Sequence, residues 1–183
     1  MPQESRENFF TELLKFVVVA AIIVIPVRLF IAQPFIVSGE SMDPTFKNGQ
    51  YLIVDELSYR FSEPERGDVI IFRYPRNPKE YFIKRIIGLP GDTVRIANNT
   101  ISVTSPDGTT QTLDEPYVVN QGDGPNGTYT VSEDSYFVMG DNRPESSDSR
   151  MWGMLPRDNI IGRAFVRLLP IQTISIFPGS TTY

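Results

Sequence analysis

The 183-residue chain contains no cysteine and no histidine. Without cysteine there is no disulfide, no thiolate nucleophile and no Cys-ligated metal, and the redox compartment stays open, because a cysteine-free domain works in either. Without histidine there is no Ser-His-Asp triad, no Cys-His pair, no His-ligated zinc and no HExxH helix. A basic excess is also lacking: the net charge is −5, so nothing points to nucleic acid. Carboxylate clusters with the spacing of a calcium loop are absent from both acidic turn-rich stretches, NQGDGPNG (120–127) and GDNRPESSDSR (140–150). No metal and no cofactor is therefore expected.

What is present first is an apolar run, FVVVAAIIVIPVRLFIAQPFIV (16–37), with no charge between Phe16 and Val27 and with Lys15 and Arg28 at its flanks. A membrane span needs about 20 largely apolar residues, and terminal Lys and Arg stems reach the headgroups. Residues 13–32 meet that length, with Pro26 as an interior kink point. A cleavable signal peptide and a buried core helix are the competing readings. Against cleavage, the flank lacks a small-x-small site and runs on into more apolar residues. Arg6 and Lys15 before the segment lean towards a cytoplasmic N-terminus and an extracytoplasmic remainder.

From Phe35 onward the pattern is β. Short runs rich in β-branched and aromatic residues (YLIVDELSY, DVIIFRYP, YFIKRIIGLPGD, TVRIANNTISVTS, YFVMGDN, IIGRAFVRLLP) are separated by Gly, Pro, Asn and Asp. Some alternate and others are apolar throughout, as in the strands of a barrel or sandwich. The expected organisation is a tail over 1–12, an anchor over 13–32, a β core over 33–97 and 131–178, and a small inserted hairpin and loop region over 98–130.

Within SGESMDPT (38–45), Ser41 is either a turn residue or a nucleophile. If it reacts, something must take its proton, and with no histidine a desolvated lysine is the apt base. The chain has four lysines. Lys15 belongs to the apolar segment, and Lys47 and Lys79 sit in polar turns. Lys84, in Tyr81-Phe82-Ile83-Lys84-Arg85-Ile86, shares a strand face with Phe82 and Ile86. It is either a base with a depressed pKa or an edge lysine that snorkels to water. The loop of residues 140–150 is dense in polar groups directly after an apolar strand, and is either a built site or a solvated turn.

Taken in order, a single apolar segment, SGESMDPT, RGDVIIF, YFIKRIIGLPGD and GDNRPESSDSRMWG resemble type I signal peptidases, over roughly residues 13–167. These are membrane-anchored endopeptidases with a Ser/Lys dyad. The resemblance implies a mainly β fold, an antiparallel-sheet, coiled-barrel catalytic core behind one N-terminal transmembrane helix. It implies Ser41 as nucleophile, Lys84 as general base, Ser146 hydrogen-bonding and orienting the lysine, and Asp148 with Arg150 as a buttressing ion pair. Asp141, Asn142 and Arg143 would hold the same loop. Met42, Ile83, Phe35 and Val37 would line pockets for small substrate side chains, favouring Ala-x-Ala. Some relatives carry an oxyanion-hole serine two residues before the nucleophile. Here Gly39 stands there and Ser38 one further back, so the donor beside the Ser41 N–H is open between them. The implied partners are preproteins with signal peptides and membrane lipid, at the cell membrane.

Two other readings fit parts of the sequence. One is a different Ser/Lys peptidase, of the self-cleaving repressor or conjugative-transfer kind; too few residues precede 35 for a repressor's DNA-binding head. The other is a membrane-tethered β domain that binds a partner and cleaves nothing, for which Lys84 would be exposed with an ordinary pKa.

Overall fold

The computed structural model describes residues 4–30, 32–122, 124–181 and 183, with the side chains of 4–8, 23, 25–30 and 32 outside the description. Arg6, Pro26 and Arg28, on which the reading of the apolar segment partly rests, thus lie outside the described side chains.

The first element is helix α1, Glu4–Phe30. Its described apolar side chains from Phe9 to Val24 are largely exposed, among them Phe10, Leu14, Phe16, Val19 and Ile22. Lys15 and Glu12 pair on its surface at 3.2 Å. Among the described residues no helix is long and apolar enough to cross a membrane.

The remainder is mainly antiparallel β. The strands are β1 Ala32–Ile36, β2 Tyr51–Asp55, β3 Val69–Tyr74, β4 Asn77–Gly88, β5 Thr93–Ala97, β6 Thr100–Thr104, β7 Thr110–Thr112, β8 Gly127–Thr130, β9 Ser135–Met139, β10 Leu155–Pro156, β11 Ile160–Leu169 and β12 Ser175–Ile176. A one-turn helix, α2 Ser149–Trp152, follows β9. Eight strands form one sheet in the order β1-β2-β11-β3-β4-β9-β10, with β12 beside β11; four form a second sheet, β7-β6-β5-β8.

β3 lies between β11 and β4 and is buried on both sides. Val69 and Ile71 pack with Val37, Met42, Phe46, Leu52 and Val54, whereas Ile70 and Phe72 pack with Ile86, Tyr136, Val138 and Trp152. This is why DVIIF shows no alternation: a strand covered on both faces reads as a continuous apolar run.

The region expected as a peripheral hairpin is a four-stranded sheet, and it begins at Thr93 with β5. The β5–β6 turn is Asn98-Asn99, both at positive φ (49° and 61°), a conformation that asparagine tolerates and a two-residue hairpin favours. Val94, Ile96, Ile101, Val103 and Leu113 of this sheet region pack on Ile87, Phe137 and Met139 of the larger one. A shared apolar core thus joins the two sheets.

Phe72 is wholly buried, with its ring 6.2 Å from Phe82 and 5.9 Å from Trp152. Phe72→Ala is expected to destabilise the fold by about 3–5 kcal/mol, read as a lower urea midpoint at unchanged slope; a change under about 1 kcal/mol would contradict this account of the core.

Candidate active site

Ser41 sits in the loop between β1 and β2, and Lys84 projects from β4. The pleat puts Lys84 with Phe82 and Ile86, paired in register with Ile70 and Phe72 of β3. The Lys84 Nζ lies 5.3 Å from the centre of the Phe82 ring. It donates to Ser41 Oγ at 2.6 Å and to the Ile83 carbonyl at 2.9 Å. Only 4% of Lys84 is exposed. Burial lowers its pKa from 10.5 to about 8, against the opposing pull of the Asp148 and Asp141 charges.

The two loops that meet at Ser41 are bound to one another. The Asn142 N–H donates to the Ser41 carbonyl (3.0 Å) and the Asn142 side-chain amide to the Glu40 carbonyl (3.1 Å). Gly140 makes the approach possible, since a Cβ there would overlap both the Ser41 carbonyl and the Ser146 side chain. The Ser146 hydroxyl accepts from the Gly140 N–H at 3.1 Å. The lysine's own hydrogen bonds run elsewhere, so the direct Ser146–Lys84 contact implied by the resemblance is not among the hydrogen bonds of the described residues.

Asp148 accepts twice from Arg150, from Nε and Nη2 at 2.8 Å each. It also caps α2 through the Arg150 N–H and accepts from the Gly140 N–H at 3.1 Å. Arg150 reaches on to the Arg143 carbonyl at 2.7 Å. Arg143 holds the Gly140 carbonyl (3.0 Å) and forms a two-pronged pair with Glu115 (3.1 and 2.6 Å). Asp141 is gripped by Arg85, Nε at 2.9 Å and Nη2 at 2.6 Å, and accepts from the Thr45 hydroxyl at 2.6 Å. Planar guanidinium–carboxylate forks of this kind fix orientation as well as distance.

A cleft of about 400 Å³ opens over Ser41 and Lys84. Phe35, Val37 and Ile83 line it, with Leu52 and Ile71. Met42 does not: it is 1% exposed and packs in the core with Val37 and Phe46. Its neighbour Ser41 lines the cleft. Ser38 and Gly39 also line the cleft. The Gly39 N–H is already donated to Asn48 Oδ1 (3.1 Å), whereas among the described residues the Ser41 N–H has no hydrogen-bond partner.

Arg85, Thr45 and Glu115 were not singled out from the sequence. Arg85 had a signal, a second cation inside the apolar run YFIKRII; Glu115, in a turn-rich stretch, had none. Among the described residues no group of acidic side chains is placed to hold a metal ion.

Comparison with known proteins gives the class. The profile of the family described as "Signal peptidase, peptidase S26" matches residues 10–169. The chain belongs to this family of serine endopeptidases. It is 39% identical over 179 residues to "Probable signal peptidase I-2" of Synechocystis, covering 95% of this chain and 80% of that one. It is 36% identical over 182 residues to "Signal peptidase IB" of Staphylococcus aureus, covering 88% and 92%. A crystal structure of a signal peptidase I from Enterococcus faecalis aligns at 34% identity with a TM-score of 0.49, covering 56% of this chain and 97% of that one.

The shifted lysine has a thermodynamic signature. Below pH 8 folded and unfolded chains both hold the proton, and the folded chain bears the cost of a buried ammonium. Between 8 and 10.5 the folded chain sheds a proton that the unfolded chain retains, so the Lys84 contribution to stability rises with pH. Comparing the pH dependence of unfolding for wild type and Lys84→Met is expected to show this rise in the wild type alone. Identical profiles would mean that Lys84 titrates normally.

Proposed function

We propose that this chain is a membrane-anchored endopeptidase that removes N-terminal signal peptides from exported preproteins, with Ser41 as nucleophile and Lys84 as general base. One observation carries the reading: a buried lysine amine 2.6 Å from a serine hydroxyl at the floor of an open cleft.

The chemistry follows from that contact. Neutral Lys84 takes the Ser41 proton as Oγ attacks the scissile carbonyl carbon. The Ser41 N–H is a donor for the resulting oxyanion; loss of one such donor costs about 3–4 kcal/mol of barrier in other enzymes. The lysinium then protonates the leaving amine, and the C–N bond breaks to give an acyl-enzyme. A water molecule that yields its proton to the same lysine hydrolyses the ester. A pKa of about 8 suits a base that must be neutral to act and charged to return the proton. Asp141, Asn142, Arg143, Ser146, Asp148 and Arg150 serve by holding the loop against Ser41, with Ser146 acting through Gly140.

The cleft supports a substrate with small apolar side chains. Phe35, Val37 and Ile83 give the cleft an apolar lining, in keeping with residues of the Ala-x-Ala kind. β9 covers β4 only from Arg85 to Gly88, so one edge of β4 before Arg85 is unpaired among the described residues. An extended chain can add to such an edge and bring its carbonyl to Ser41.

The anchor is part of the proposal. Residues 13–32, in α1 and the chain after it, would span the bilayer with the N-terminus cytoplasmic and the β domain outside. The exposed apolar side chains of α1 support this, since in water they would be a liability. So tethered, the cleft meets chains whose own hydrophobic segment lies in the membrane.

Ser41→Ala and Lys84→Ala are each expected to abolish cleavage of a preprotein bearing an Ala-x-Ala site while preserving the thermal transition. Wild-type rates in either would remove the dyad. The wild-type kcat/KM is expected to rise with pH through about 8, the neutral form of Lys84 being the active one. A profile flat from about pH 6 to 10 would exclude a titrating lysine base.

A further inference from the structure

Gly179, Thr181 and Tyr183 lie against the groups that hold Asp141. Arg85 is fully buried, and besides Asp141 its guanidinium donates to the carbonyls of Gly67 (2.9 Å) and Gly179 and to the Thr181 hydroxyl (3.4 Å). Two of its partners are thus about 95 residues along the chain.

The nucleophile loop is touched as well. Gly179 adopts φ +75°, and a Cβ there would come within 2.6 Å of Thr45 Cγ2 and 3.0 Å of the Phe46 ring. Thr45 is the residue whose hydroxyl bonds Asp141. Gly67 is equally tight: a Cβ would overlap the Thr181 carbonyl and lie 3.3 Å from the Tyr183 ring. Both close approaches need glycine, and both residues also hold a positive φ (+94° at Gly67, +75° at Gly179).

Tyr183 closes the arrangement. Its hydroxyl is hydrogen-bonded to that of Tyr117, whose ring lies 3.8 Å beneath the Arg85 guanidinium. Tyr117 also donates to Glu115 (2.8 Å), the partner of Arg143. Burial holds the Tyr183 phenol at about 12, so it stays a donor over the whole working range.

We propose that Gly179, Thr181 and Tyr183 are positioning residues of the catalytic site, acting through Arg85 and Thr45 on Asp141 and so on the placement of Ser41 against Lys84. This rests on the peptidase reading for its kinetic consequence, but not for its structural one. The line of contacts is short. Gly179 and Thr181 grip Arg85, and Gly179 abuts Thr45; Arg85 and Thr45 both grip Asp141; the next residue, Asn142, holds the Ser41 carbonyl. A misplacement of about 1 Å at a reacting group is enough to cost about 100-fold in rate.

The test uses the full-length chain in detergent micelles, with Thr181→Val, Tyr183→Phe and Gly179→Ala. The first two keep side-chain volume and remove one hydroxyl each; the third pushes on Thr45. Preprotein cleavage gives kcat and KM, hydrogen exchange reports the amides of residues 38–48, and a thermal scan gives Tm. The expected result is a kcat about tenfold lower with KM within about twofold of wild type. Exchange should be faster over 38–48, with that of β2, β3 and β11 unchanged. Unchanged kcat together with unchanged exchange over 38–48 would overturn the proposal. So would a loss of activity that tracks a falling Tm, with exchange rising throughout both sheets. If the wild type cuts no preprotein, the peptidase reading falls, and exchange over 38–48 alone then decides whether these residues position the Ser41 loop.

Discussion

The buried ammonium of Lys84 is the constraint around which the site is arranged. An amine taken out of water holds its proton less tightly, and only two hydrogen bonds, to Ser41 and the Ile83 carbonyl, offset that loss. Asp148 and Asp141 pull the other way, and burial wins, leaving the group near neutrality at about pH 8. Carboxylates placed closer would keep the lysine charged and inert; with none nearby, burying it would cost the fold more. Both are instead held at a remove, because each is engaged by an arginine of its own.

That division of labour explains why so many charges are buried around one lysine. Arg85 with Asp141, Arg150 with Asp148 and Arg143 with Glu115 are all two-pronged pairs. Such pairs add little net stability compared with apolar packing, but removing one partner strands a buried charge at a cost of about 3–5 kcal/mol. Their use is geometric. The first ties β4 to the loop after β9 and the third ties that loop to the chain beyond β7, while the second, between residues 148 and 150, pins the start of α2. The loop of residues 140–150 is thereby held from outside by Arg85 and Glu115, and through Asn142 it holds Ser41.

Much of this was legible in the sequence. The mainly β architecture followed from short β-branched runs between turn residues, its antiparallel sheets from the family resemblance, and the face of Lys84 from the period-2 alternation of Phe82, Lys84 and Ile86. Arg85 went unread although it is the next residue, because alternation says only that it faces the opposite way and not that Asp141 waits there. Met42 was misplaced for a related reason. Adjacency to Ser41 suggests a shared pocket, but sequence neighbourhood does not say which way a turn residue points, and Met42 packs in the core with Val37 and Phe46. The second sheet was underestimated, since a stretch rich in turn residues reads as loops until its strands are seen to share apolar cover with Ile87, Phe137 and Met139.

Composition alone removed histidine and cysteine chemistry, and of four lysines it left one in an apolar strand as a candidate base, which the family resemblance paired with Ser41. These are local properties, set by which side chains exist and by the pleat of the strand that carries them. The 2.6 Å contact between residues 43 positions apart belongs to the tertiary structure, as do the depth of burial that shifts the amine and the route by which Gly179 and Thr181 reach Asp141 through Arg85. Those depend on how separate segments pack in three dimensions. A pKa is set by the surroundings of a group, and only the folded chain brings those surroundings together.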